Sequence, residues 1–299
     1  MFTSGSRAML FLLLLGLTSF AANQPKVEIS VQPPYRMVRS NGIADHQTGQ
    51  FPNRRNPHQI SAQAYHFRMP LTPQETNHKT PTKGKRKKYI FGVALNGVVF
   101  DPSTAEYWKR NPRSGWNYEA LTGRMDLGLD SSQAHVQPNG AYHYHGIPRS
   151  LVEKLKKSES MVLIGYAADG FPIYSEYGHR DPRDPSSPLI KMRSSYQVKK
   201  GSRPSGPNDP GGSYDGSFTK DWEYVGNLGD LDECNGRFGM TPEYPQGTYH
   251  YYITDTFPYV PRYFKGAPDN SFLKQRGNHG GRSGPGGIPS FPPPHHHQR

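Results

Sequence analysis

Apolar positions along this chain recur in short runs with a period of two, not in long stripes with a helical period. Lys26 to Val31 and Ala62 to Met69 alternate in this way and predict two strands. Tyr89 to Phe100 reads as two strands around Asn96-Gly97, a dipeptide that supplies two positive φ angles for a tight hairpin. Met161 to Tyr166 is apolar throughout, as a strand covered on both faces requires. Further strands are predicted at Ser195 to Lys199, Phe218 to Val225 and Thr248 to Thr254. Helical signals are few. Ser103 to Lys109 carries an N-cap serine with Glu106 three residues on, and Ser150 to Glu159 places Leu151, Val152 and Leu155 along one side. With 32 Gly and 29 Pro in 299 residues, turns dominate and a helical bundle is excluded. The expected fold is mainly β, with α+β as the alternative: a single sandwich- or barrel-like domain with a few short helices.

The first 21 residues have the organisation of a secretory signal. Arg7 precedes the apolar run Met9 to Leu17, and Ser19-Phe20-Ala21 places small residues where a signal peptidase cuts. The run is shorter than the roughly 20 residues that span a bilayer, so a secreted, extracellular protein without membrane insertion is expected. Residues 22–88 form a basic, proline-rich arm partly joined to the domain, residues 89–275 the domain itself, and residues 276–299 a Gly/Pro/His-rich tail expected to be disordered.

Charge follows these boundaries. The whole chain carries a formal net charge of +12, yet the excess lies in the flanks and the domain is close to neutral. A nucleic-acid-binding domain would carry the charge on its body, so no nucleic-acid partner is expected. The arm, ending in Lys83-Gly84-Lys85-Arg86-Lys87-Lys88, suits an extracellular matrix, a polysaccharide or a mineral surface. The same run also has the form of an exposed dibasic processing site. The single cysteine, Cys234, forbids an intramolecular disulfide, and a buried, inert thiol is expected there.

The candidate chemistry lies in His135-Val136-Gln137-Pro138-Asn139-Gly140-Ala141-Tyr142-His143-Tyr144-His145. Pro138-Asn139-Gly140 is a turn, so Tyr142 begins a strand, and residues two apart share a face. His143 and His145 then point one way, Tyr142 and Tyr144 the other. Two imidazoles on one face can reach one metal, with His135 returning across the turn as a third ligand. Thr248-Tyr249-His250-Tyr251 repeats the theme and offers His250, while His46 is a weaker candidate. A divalent transition metal fits such ligands, zinc or copper foremost. His58, His66, His78, His179 and His279 read as solvent-exposed.

Asp169, at the end of the Met161 to Tyr166 run, is the candidate carboxylate to orient a ligating imidazole, or to act as general base. Asp230, Asp232 and Glu233 suggest a calcium loop, although its glycine falls one place late. Walker, Gly-x-Ser-x-Gly and His-Glu-x-x-His signatures are missing from the chain.

The run Asn139 to Pro148 resembles the YHYH-domain family of secreted and periplasmic proteins. The likeness extends to Ser40 to His46, Gly92 to Val98, Ile164 to Tyr174, Gly229 to Gly236 and Gly247 to Tyr252, so it spans most of residues 40–275. Ala44 stands where the family usually has proline. The resemblance implies export and one β-rich domain, without an established reaction. Three functions follow as expectations: an extracellular protein with a histidine metal site, a structural component of an extracellular or biomineral (shell) matrix, and a metal-dependent oxidase or hydrolase.

Overall fold

Alternating residues early in the chain form three strands that pair in sequence order. The computed structural model describes residues 24–156 and 160–274. β1 (Val27–Gln32), β2 (Tyr35–Ser40) and β3 (Tyr65–Pro70) make an antiparallel sheet. They are followed by β4 (Glu75–Pro81), β5 (Gly92–Ala94), β6 (Val99–Phe100), β7 (Ala134–Val136), β8 (Tyr142–Tyr144), the helix α1 (Arg149–Leu155), β9 (Leu163–Ala167), β10 (Pro172–Tyr174), β11 (Tyr177–His179), β12 (Leu189–Lys191), β13 (Tyr196–Val198), β14 (Trp222–Tyr224), β15 (Gly236–Thr241), β16 (Tyr244–Tyr252) and β17 (Tyr263–Gly266).

Eight strands form the central sheet, in the order β15-β16-β10-β9-β5-β6-β8-β7. The pairs β6/β8 and β10/β16 are parallel and the other pairs antiparallel. β4 pairs with β17, β11 with β12, and β13 with β14. The fold is mainly β, and the sheet stays open where a barrel was one of the expected forms. The expected signal segment, residues 1–21, and the expected tail, 276–299, lie outside the described residues.

Residues 22–88 supply β1 to β4, and Val38, Phe67 and Met69 are buried in the same core as Phe91, Phe264 and Phe272. Phe67 stacks on Phe272 with ring centroids 4.2 Å apart. Burying side chains of this size contributes about 1.5–3 kcal/mol each, so these strands are bound to the central sheet by packing as well as by sequence.

Two local expectations are corrected. The Asn96-Gly97 turn has one positive φ, at Gly97 (+82°), not two. Gly97 N–H bonds to Ala94 O and Ala94 N–H to Val98 O, so the loop has three residues and its glycine takes the left-handed position. Asn96 uses its side chain, accepting from Val98 N–H and donating to Tyr144 Oη at 2.9 Å. The segment Ser103 to Lys109 is not a helix. Trp108 and Tyr118 N–H groups bond across to Trp116 and Glu106, and Thr104 Oγ1 donates to Tyr118 O. These lateral bonds outweigh a local cap signal, and the only helical turn there is a 3-10 turn at Trp108–Arg110. The second predicted helix ends at Leu155, because Lys156 takes up extended angles, and its remaining positions 157–159 lie outside the described residues.

Candidate metal centre

The site is built on the β7–β8 hairpin. Its turn repeats the geometry at Gly97: Gly140 N–H bonds to Gln137 O, and Gly140 takes φ +83°. Asn139 Oδ1 accepts from Ala141 N–H, which fixes the entry into β8. The register sets His135 directly opposite His143. His145 follows two residues on, held by its N–H to Gln133 O at 2.8 Å. Cross-strand and same-strand neighbours thus share one face.

Three Nε2 atoms converge there. His143 and His145 bring theirs to 2.9 Å, and His145 and His135 to 3.1 Å. His143 and His145 are buried, whereas His135 is partly exposed. A carbonyl oxygen only accepts, so His143 Nδ1–H donates to Ala141 O and His135 Nδ1–H to Leu127 O. Burial pushes all three imidazoles below their ordinary value, His143 to about 3, so they are neutral near pH 7. Neutral His135 and His143 with a proton on Nδ1 carry a lone pair on Nε2. Two lone pairs therefore point at the single Nε2 of His145, which has at most one proton to offer. Tetrahedral zinc with 2.0–2.1 Å bonds would separate its nitrogens by about 3.3–3.4 Å, so the two close pairs need open by only a few tenths of an ångström, and all three nitrogens already lie within 4.8 Å of one another. A backbone carbonyl on Nδ1 is also the usual way in which a metal-ligating histidine is oriented. Among the described residues, these three are the one group able to hold a metal ion together.

The opposite face of β8 is a separate network. Tyr142 Oη donates to Asp130 Oδ2 at 2.6 Å, and Asp130 also accepts from Ser132 and Ala134 N–H, bracing the approach to β7. Tyr144 Oη lies 2.7 Å from His46 Nε2. His46 therefore sits on the tyrosine face, away from the three imidazoles.

The other candidates are also placed elsewhere. β16 lies five strand positions from β8, about 24 Å at the usual spacing. His250 Nδ1–H donates to Thr248 O and its Nε2 accepts from Tyr252 Oη at 2.8 Å, and the ring packs edge-on against Tyr174. Burial lowers His250 to about 4, which keeps it a neutral packing residue. Asp169 is buried at the β9–β10 turn. It accepts from Tyr251 Oη at 2.5 Å, Gly266 N–H at 2.9 Å and Phe171 N–H at 3.4 Å, and none of these bonds reaches a triad histidine.

The acidic loop is spoken for by cations. Asp230 is gripped by the Arg193 guanidinium, Glu233 pairs with Lys79, and Asp232 accepts from Cys234 and Gly236 N–H, Tyr249 Oη and Lys265. It is a braced turn rather than a gathered calcium site. Burial pushes the Cys234 thiol up to about 12, the state of an inert packing residue.

One residue near the triad carried no signal in the sequence. Asp101, just after β6, is buried and accepts from Gln137 Nε2 and Lys274 Nζ. Burial alone would raise it, but Lys274 and the nearby His143 hold it below the usual carboxylate range, so a negative charge stands beside the imidazoles. His58, read as exposed, is half-buried. His179 is likewise half-buried, with Nδ1 donating to Ser187 O.

The family model described as YHYH protein matches residues 66–266, two thirds of the chain. The chain belongs to the YHYH protein family. The matched region contains the triad, Asp101, Asp169 and His250, while His46 and His58 precede it. No curated protein and no solved structure matches the chain.

Proposed function

We propose that this YHYH protein is a secreted, extracellular protein that binds one divalent transition metal ion, zinc or copper, through His135, His143 and His145. The observation that carries this reading is the convergence of three neutral imidazoles, two with tautomers fixed by backbone carbonyls, on one point. A cation resolves the contest between the lone pairs, and Asp101 offsets part of its charge. The N-terminal signal pattern supports export.

A second reading rests on the surface. Lys85, Arg86, Lys87 and Lys88 are all exposed, and a folded metal-binding domain with such a loop suits retention in an acidic matrix, on polysaccharide or on mineral. The two readings are compatible.

Elemental analysis of the secreted protein, with His295→Ala, His296→Ala and His297→Ala removing the tail imidazoles, tests the first reading. One equivalent of metal is expected, and almost none once His143→Ala and His145→Ala are added. Absence of metal from both proteins overturns the reading.

A further inference from the structure

The domain is close to neutral overall, yet one part of its surface gathers cations from three separate segments. The first is the basic turn. Lys83 pairs with Lys88, and Gly84 N–H bonds to Lys87 O, which holds Lys85 to Lys88 exposed. Lys83 also joins this turn to the second segment. Its Nζ donates to Asn117 Oδ1 at 2.9 Å and lies 4.6 Å from the centre of the Tyr107 ring. Tyr107 and Asn117 face each other in a short antiparallel ladder, continued by Trp108 N–H to Trp116 O at 2.9 Å. The loop beyond that ladder carries Lys109, Arg110 and Arg113, all exposed. Exposed Lys220 comes from the third segment. Its Nζ lies 4.9 Å from the Trp116 ring and donates to Ser114 O at 3.4 Å.

Aromatic rings fix three of these ammonium groups. Lys109 Nζ sits 4.2 Å from the Trp108 ring, so Lys83, Lys109 and Lys220 each rest on one. Lys109 and Arg110 also take left-handed backbone angles, φ +51° and +54°, which residues with a Cβ rarely adopt. Arg110 N–H to Tyr107 O and Asn111 N–H to Trp108 O hold them there, two consecutive cations in one strained turn. Little negative charge opposes the set. Residues 82–88 contain no acid, and residues 104–117 contain one, exposed Glu106. Asp209 also touches the surface, accepting from Trp116 Nε1–H at 2.8 Å.

We propose that this surface binds an anionic polysaccharide, lying from the Lys85 to Lys88 turn across the Tyr107–Asn117 ladder to Lys220. The inference rests on the retention reading above and deepens it, making the basic turn one end of a longer track. Charges spread over three segments suit a polymer of repeated charge better than one small anion. Single-stranded nucleic acid needs open ring faces on which bases stack, and here lysines cover the rings. The N-terminal signal pattern agrees with a polysaccharide met outside the cell.

The test is calorimetric titration of the full chain with a heparin oligosaccharide at several salt concentrations. One variant neutralises the basic turn (Lys85→Gln, Arg86→Gln, Lys87→Gln, Lys88→Gln). A second neutralises the ladder (Lys109→Asn, Arg110→Asn, Lys220→Gln), because Asn tolerates left-handed angles and Gln keeps a stem on Trp116. The parent is expected to bind and to weaken steeply with salt as counterions are released. The ladder variant should bind at least about tenfold more weakly, with its salt slope lowered by about two to three. A ladder variant that matches the parent overturns the inference, and a loss confined to the basic-turn variant then leaves the retention reading standing. No binding by the parent overturns the inference and removes polysaccharide from the retention reading. Duplex DNA that displaces heparin as well as heparin does, charge for charge, overturns the choice of polysaccharide. Near-UV circular dichroism reports folding, and the charge-keeping pair Arg110→Lys and Lys220→Arg should bind as the parent does.

Discussion

His145 Nε2 lies 2.9 Å from His143 Nε2, although His143 has already given its ring proton to the Ala141 carbonyl. A metal at that point stabilises the native state and not the unfolded one. Zinc at a hundredfold excess over its dissociation constant should add about 2.7 kcal/mol, a rise of roughly 5–10 °C in melting temperature. In a His143→Ala protein with the tail histidines removed the rise should vanish, as differential scanning calorimetry would show.

The tyrosines of β8 are predicted to matter for stability and not for metal. Tyr144 Oη accepts from buried Asn96 and meets His46. Tyr144→Phe strands those groups and should cost about 1–3 kcal/mol in urea unfolding. Zinc stoichiometry, measured on the same protein, should be unchanged.

Asp169 is predicted to be a structural acid. Its buried carboxylate collects the Tyr251 hydroxyl and the Gly266 N–H, and Asp169→Asn turns one acceptor into a donor facing them. A loss of about 1–3 kcal/mol is expected, again with zinc binding intact. A variant that instead kept its stability and lost metal would restore Asp169 to the site.

His250 should contribute to acid sensitivity. Its folded value, near 4, lies below the ordinary 6.5, so between those pH values the unfolded chain binds more protons than the native one. Stability therefore falls as pH drops from 6.5 toward 4. The three triad histidines of metal-free protein act in the same direction. His250→Gln cannot take up that proton, and its urea midpoint should fall less between pH 7 and pH 4.5 than that of the parent.

Period-two alternation made much of this molecule legible in advance, because a residue's face on a strand depends only on its place in the sequence. The opposition of His143 and Tyr144 is of that kind, as are β1 and β3, while β9 showed as an unbroken apolar run. What failed to show were relations set by distant chain. His250 stands in the same local pattern as His143, and nothing near it in sequence reveals that β16 joins the sheet five positions away. Asp101 comes beside the triad through the parallel β6/β8 pairing, which leaves no spacing to read. At Ser103 the local cap signature lost to bonds with residues eight to fourteen positions away.

The exposed turn at Lys85 to Lys88 closes on itself through Gly84 N–H to Lys87 O, with the Lys83–Lys88 bridge at its base. A protease cutting there would sever the backbone without freeing what comes before. β4 remains zipped to β17, Phe67 remains stacked on Phe272, and Ser40 still donates to Gly97 O. Clipped protein should run as two fragments on a denaturing gel yet elute as one particle from a sizing column. Maturation at this turn would yield a two-chain molecule rather than a shed propeptide, with the basic end left as a new, freely mobile terminus beside an intact core.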